Sequence, residues 1–189
     1  FDLLPAGQKE LVCKISYKIC RTAMLDYKAI EFIEARQDHY DFLHALYAEI
    51  HSWHAQNRPE LYDSNTRDLL TAESLAAIIA DPLQWMGIAR VDDMPIGFVH
   101  LVVKDKRDSA FEANNYVGSI EAIGVDAACR GQGIGRLILH EAEEKAYQLG
   151  ATYIKLQVQT FNEAAIHLYK IKGYDIIQYH MGKVIGNSE

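Results

Sequence analysis

Apolar and polar positions follow two rhythms along this chain. Leu43, Leu46, Tyr47, Ile50 and Trp53 recur at three- and four-residue steps, which is one face of a helix. Asp38 stands where such a helix would be capped. Arg58-Pro59-Glu60 should end it, because the residue before a proline is pushed out of the helical region. A second helix is predicted near 71–80, stopping at Asp81-Pro82. Shorter runs read as strands. These are 29–33, then 85–91 and 96–103, the last two forming a hairpin through Asp92-Asp93-Met94-Pro95. A polar connection over 104–115 is long enough to suggest a functional loop, and a strand follows at 116–125. A helix is expected from about Gly133 to Gly150, a good C-cap residue. Ile154, Leu156 and Val158 alternate with Lys155, Gln157 and Gln159, the pattern of a half-buried strand. Asn162 can cap a last helix that Gly173 ends, and 174–180 and 184–185 read as short closing strands. The order is strand, two helices, three strands, helix, strand, helix, strands, with no internal repeat.

Composition narrows the class. A chain of 189 residues, 49% apolar and 24% charged, fits one domain with a core that needs no metal or disulfide staple. The first 23 residues read differently: Pro5-Ala6-Gly7 leads into a basic stretch with Lys9, Lys14, Lys18 and Arg21, and Met24 precedes the regular pattern. Residues 1–23 are therefore expected to be an extension or docking arm, with the domain over 24–189. Lys plus Arg is 19 against 26 Asp plus Glu, a formal charge of -7. That argues against broad nucleic-acid binding, which rests on clustered cations, and makes cationic partners more plausible. No apolar run approaches the ~20 residues of a membrane helix, and no signal-peptide pattern opens the chain. Cys13, Cys20 and Cys129 are odd in number and match neither a disulfide framework nor a zinc site, so a reducing, cytoplasmic compartment without metal is expected.

The most informative segment runs from Ile123 to Leu137. A strand ends, a turn carries Gly131, Gly133 and Gly135, and a helix begins. Helix N-termini expose unpaired N–H groups and about half a positive charge, and glycines let an anion approach them. Arg130 and Arg136 flank the turn. The expected ligand is an anion, best a pyrophosphate, held by Arg130, Gly131, Gln132, Gly133, Ile134, Gly135 and Arg136. No Gly-x4-Gly-Lys-Ser/Thr run exists, and a dinucleotide fingerprint read from Gly131 would put its third glycine on Arg136. What fits is Arg-x-x-Gly-x-Gly, filled by Arg130, Gly133 and Gly135.

That turn resembles the coenzyme A loop of the GNAT acetyltransferases, and three other segments extend the likeness. Before it stands Ile120-Glu121-Ala122-Ile123-Gly124-Val125, like the family's Glu-bearing fourth strand. After it stand a strand, Asn162, and Leu168-Tyr169-Lys170-Ile171-Lys172-Gly173-Tyr174, similar to the family's Leu-Tyr-x-x-x-Gly-Phe/Tyr signature. Arg58-Pro59-Glu60-Leu61-Tyr62 resembles a segment between its first two helices. The likeness covers about 27–180. It implies an α+β, three-layer fold: a mixed, mostly antiparallel twisted sheet flanked by helices. It implies acetyl transfer from acetyl-coenzyme A to an amine, without metal, and allows a homodimer.

The chemistry sets three needs. An alkyl ammonium with pKa near 10.4 is neutral in only ~0.04% of molecules at pH 7, a cost of about 4.6 kcal/mol. The resemblance makes Glu121 the base. A carboxylate of pKa ~4.3 is a weak one, which points to a water relay or a raised pKa; a structural charge paired with Lys or Arg is the other reading. The departing thiolate needs an acid that keeps its proton at pH 7, and the resemblance places Tyr169 there. The thioester arm needs a grip, implied at the backbone of Ile123, Gly124 and Val125 and at Asn162. The acceptor is then the primary amine of a small molecule, attacking directly. A protein or peptide amine, or a non-catalytic acetyl-coenzyme A-binding module, are the alternatives. Ala122 stands where polyamine enzymes often carry a second acid, which disfavours a polyamine. Glu60, Asp63, Asp68 and Glu112 would suit a cationic acceptor. His51 and His54 are expected to pack or face solvent, Cys129 not to act as nucleophile, and Glu141 to pair with Lys145 on a helix face.

Overall fold

The structure is a computed structural model, described over residues 27–63, 69–106 and 116–185. It contains β1 (Glu31–Glu34), α1 (Tyr40–Asn57), α2 (Ala72–Ala80), β2 (Gln84–Val91), β3 (Met94–Asp105), β4 (Tyr116–Val125), α3 (Ile134–Gln148), β5 (Tyr153–Leu156) and α4 (Glu163–Ile171). The five strands lie in the order β1-β2-β3-β4-β5. The first four pair antiparallel and β4 pairs with β5 in parallel. A parallel pair needs a crossover, and α3 supplies it.

Helices cover both faces, giving three layers. On one face Leu43, Leu46 and Leu75 of α1 and α2 pack on Met86, Ile88 and Phe98. On the other, Ile138, Leu139 and Ala142 of α3 and Tyr169 of α4 pack on Val99, Leu101, Val103 and Ile120. Alternate β3 residues thus serve opposite cores, as strand geometry requires. Each fully buried side chain of this size contributes ~1.5–3 kcal/mol. The expected α+β architecture is present.

Several local expectations are corrected. Residues 37–39 form a tight 3-10 turn in which His39 Nδ1 accepts the Arg36 N–H at 3.0 Å, so α1 starts at Tyr40 and Asp38 does not cap it. The hairpin turn is shorter than read. Asp92 and Asp93 alone make it, at φ 48° and 62°, and Met94 and Pro95 already belong to β3. Lys145 does not pair with Glu141; its Nζ bonds Glu34 at 2.8 Å and lies 5.6 Å from the centroid of the Trp85 ring. β5 ends at Leu156, two residues short of Val158. The closing strands do not form: 174–185 runs without strand pairing, leaving Ile176, Ile177, Tyr179, Met181, Val184 and Ile185 exposed. A strand pattern needs a neighbour to satisfy its ladder, and these residues have none among those described. Residues 1–23, most of the 104–115 connection, Asp68 and Glu112 lie outside the described residues.

Candidate active site

Two irregularities of β4 open a wedge in the sheet. The β3–β4 register slips between His100, opposite Ala122, and Leu101, opposite Ile120, so Glu121 is an extra residue in a bulge. On the other side β5 pairs only with Val117–Ile120 and then stops. From Glu121 to Val125, β4 has β3 on one side and, among the described residues, no strand on the other. Successive residues turn their backbone groups to opposite sides: the Asp126 N–H donates to the Ile96 carbonyl at 2.9 Å, so Gly124 faces β3 and Ile123 faces the open side. On that open side the Val125 carbonyl accepts from Arg130 Nε at 2.9 Å. Helix α1 presses on β4 at Gly124: a Cβ there would lie 2.8 Å from Phe98 Cε1 and 3.1 Å from Ile50 Cδ1.

The glycine turn follows at the open end of β4. Asp126 Oδ1 accepts the Ala128 N–H at 2.8 Å and starts the turn. Gly131 and Gly133 both sit at φ 76°, a left-handed conformation that favours glycine. Gly133 is the N-cap of α3, and its carbonyl accepts the N–H groups of Arg136 and Leu137 at 3.0 and 3.3 Å. The N–H groups of Gly133, Ile134 and Gly135 head the helix without intrahelical partners. The Ile134 side chain is buried, so only its N–H can serve. A Cβ on Gly135 would meet only ordinary contacts, 3.6 Å from Leu168 and 3.9 Å from Val125. The protein's own packing therefore does not demand glycine at 135, whereas close approach of an anion would. Gln132 is half-buried and Arg136 exposed on the first turn of α3. Arg130 Nη2 pairs with Glu49 of α1 at 2.5 Å, an exposed ion pair that ties the turn to α1. The donor set is backbone amides flanked by Arg130 and Arg136, which fits a pyrophosphate.

Tyr169 lies on α4, and Asn162 is the N-cap of that helix. Asn162 Oδ1 accepts the Ala165 N–H at 3.1 Å and caps α4, leaving its Nδ2 as a donor. Tyr169 is buried, its ring centroid 5.9 Å from that of Tyr174. Burial pushes its hydroxyl up to about 12. No hydrogen bond among the described residues engages that hydroxyl.

Glu121 lies on the α1 side, half-exposed, with Lys104 Nζ at 3.3 Å. An exposed pair of this kind is worth ~0–1 kcal/mol, so a cationic ligand can displace it at little cost.

The sequence reading missed a hydrogen-bonded chain whose members Tyr47 and His100 feel the charge of Glu121. Tyr47 Oη lies 3.3 Å from His100 Nδ1, and His100 Nε2 lies 2.9 Å from Gln84 Oε1. Burial lowers the pKa of His100, with the Glu121 charge acting against that. Burial raises that of Tyr47 and the same charge adds to it. These residues are 53 and 16 positions apart, so no spacing could reveal them.

A second cluster spans from α1 to the β5–α4 connection. His54 stacks on Tyr62 with centroids 5.3 Å apart, Trp53 meets Phe161 edge-on at 4.8 Å, and Gln159 Nε2 donates to Tyr62 Oη at 2.6 Å. His51 and His54 pack as expected. Burial lowers the pKa of His54, with His51 adding to the effect. Of the acidic candidates, Glu60 pairs with Arg58 at 3.2 Å. Cys129 is fully buried and disulfide-bonded, which overturns the expectation of unpaired cysteines and leaves it no thiol to act as nucleophile. Among the described residues no three His, Cys, Asp or Glu side chains cluster to hold a metal.

Comparison with known proteins places this geometry. Residues 40–174 match the profile of the acetyltransferase (GNAT) family. The uncharacterized N-acetyltransferase YdgE of Bacillus subtilis (strain 168) is 38% identical over 64 residues, 34% of this chain and 41% of that protein. The match thus spans less than half of that curated relative. The tetramutant of the BH1408 protein from Bacillus halodurans superposes with a TM-score of 0.74 at 22% identity, over 82% of this chain and 99% of that one. The aminoglycoside N-acetyltransferase AAC(6')-Iy, solved in complex with CoA, superposes with a TM-score of 0.60 at 14% identity, over 85% and 94%.

Proposed function

Because this chain belongs to the acetyltransferase (GNAT) family, we propose that it moves an acetyl group from acetyl-coenzyme A to the primary amine of a small molecule. One observation carries the reading. The unpaired edge of β4 leads from Glu121 directly to a helix N-terminus whose glycines leave room for an anion. The N–H groups of Gly133, Ile134 and Gly135, with Arg130 and Arg136, hold the pyrophosphate, and Gly131 and Gln132 shape the turn. The backbone of Ile123 and Val125 and the amide of Asn162 hold the pantetheine arm. The bound coenzyme supplies an activated thioester. Glu121 attracts the cationic acceptor, exchanging Lys104 for it, and draws off its proton through water. Tyr169, protonated because it is buried, gives its proton to the thiolate.

The small-molecule class is supported by the fold shared with an aminoglycoside N-acetyltransferase and by the aromatic cluster beside the wedge, which can face a cation. We place the catalytic domain at 24–189, a reading that loss of folding on deletion of 1–23 would refute. The exposed apolar side chains of 174–185 support a homodimer, for which the check is a molar mass by light scattering. A cytoplasmic location is part of the same proposal; among the described residues no helix is long and apolar enough to cross a membrane.

The deciding experiment measures thiol release from acetyl-coenzyme A with aminoglycosides, other small amines and lysine peptides. Turnover with a small amine, reduced on the order of 100-fold in Glu121→Gln, is expected. Turnover with peptides alone would replace the acceptor class. Coenzyme binding without turnover would make the protein a binding module.

A further inference from the structure

A hydrogen-bonded chain crosses the layer between α1 and the sheet, and each of its bonds has one direction. Asp81 Oδ2 can only accept, so the Gln84 atom 3.0 Å from it is the donating Nε2. That orientation turns Gln84 Oε1 toward His100 Nε2 at 2.9 Å, and an amide oxygen can only accept. His100 Nε2 therefore carries the ring hydrogen and Nδ1 is bare. Tyr47 Oη, 3.3 Å from that bare nitrogen, donates to it. The order is Tyr47 to His100 to Gln84 to Asp81. The Tyr47 ring is held against Phe98 with centroids 4.9 Å apart, and the hydroxyl oxygen keeps its lone pairs for one further donor.

The free end of this chain meets the charge of Glu121, whose carboxylate acts on both Tyr47 and His100. Glu121 is the bulged residue of β4, opposite the step from His100 to Leu101. A carboxylate alone is a poor sink for an ammonium proton, and the imidazole beside it offers a second acceptor. We propose that Tyr47, His100 and Gln84 form a proton-accepting chain for acetyl transfer, in which the proton leaving the acceptor at Glu121 comes to rest on His100 Nδ1.

This rests on the acetyl-transfer reading above. One N–H bond of the ammonium breaks and leaves its electron pair on nitrogen. The water at Glu121 passes that proton to Tyr47 Oη as Tyr47's own passes to His100 Nδ1. The products are a neutral amine and an imidazolium, so the positive charge moves from acceptor to ring. After product leaves, the proton returns through Tyr47 to water. Burial outweighs the Glu121 charge and lowers the pKa of His100, so the ring gives the proton back readily once product leaves. The groups facing His100 are Tyr47 from α1, Glu121 from β4 and Asp81 through Gln84 from the α2–β2 turn, with Lys104 farther along its own strand. Tyr47 is the member that would meet the acceptor's proton; His100 and Gln84 act through it.

The test has a structural and a kinetic arm, both on the full chain. Long-range 1H–15N correlation should show His100 as the Nε2–H tautomer; an Nδ1–H tautomer overturns the proposal. Tyr47→Phe keeps the ring on Phe98 and deletes only the hydroxyl. It should lower kcat on the order of 100-fold and leave KM for acetyl-coenzyme A within about twofold. The ascending limb of kcat/KM should move toward the acceptor's own pKa, near 10.4 for an alkyl amine. His100→Asn should do the same, and the double variant should lose no more than either single one, because the chain acts as a unit. Unchanged kcat and pH limb in Tyr47→Phe, with melting temperature as the folding control, overturns the proposal, as does additive loss in the double variant. A wild-type protein inactive with every amine overturns the acetyl-transfer reading and this proton role together, while the tautomer measurement still reports on the bonds themselves.

Discussion

Replacing Tyr169 with phenylalanine separates chemistry from packing at one atom. The ring is buried among α3 and α4 residues and would stay there. The hydroxyl makes no hydrogen bond to any described residue, so its removal should change stability by no more than ~1 kcal/mol. A general acid contributes ~10²–10⁴-fold, or ~2.7–5.5 kcal/mol of barrier. The expected signature is a fall in kcat of at least about 100-fold with the melting temperature nearly unchanged. The assay is thiol release at saturating acetyl-coenzyme A, beside a thermal melt. Burial holds the Tyr169 hydroxyl at about 12, above its unfolded value of 10.0, so it stays protonated across any neutral assay. The linkage sign follows. The stability tied to this shift is fully present below the unfolded value of 10.0 and is lost as pH rises through about 12. Activity should therefore show no alkaline limb that belongs to Tyr169 below pH 10. Unchanged kcat in Tyr169→Phe would remove it from the mechanism. A limb near neutrality that vanishes in the variant would refute the burial argument.

Two glycines give opposite expectations. Gly135→Ala adds a Cβ with room beside Leu168 and Val125, so the melting temperature should hold while KM for acetyl-coenzyme A rises at least about tenfold, roughly 1.4 kcal/mol; an unchanged KM would move the anion off this turn. Gly124→Ala drives a Cβ to 2.8 Å from the Phe98 ring and should destabilise by ~1–3 kcal/mol, read by denaturant melts, with cofactor KM a secondary effect.

The glycine turn was legible because its chemistry is local. Gly131 and Gly133 are needed for backbone angles within a few residues of one another, and the amides they expose head a helix whose apolar period is plain in the sequence. The Glu121 strand and the Tyr169 signature were legible for the same reason, as short continuous runs. The misreadings share a different cause. Residues 174–180 alternate like a strand, yet a strand exists only where another edge accepts it. Likewise the ion pair of Arg130 with Glu49 was not legible, because the two residues are 81 positions apart.

The sequence by itself determined the order of elements through α4, the buried faces of the helices and the place of the glycine turn, since periodicity and backbone preference act between near neighbours. Only the tertiary structure decided where β4 parts from β5, that Glu121 bulges from β4 against β3, and that Tyr47, His100 and Gln84 line up beside it. Those features come from the register between strands and from burial, which lower the pKa of one group and raise that of another according to what the fold brings beside each.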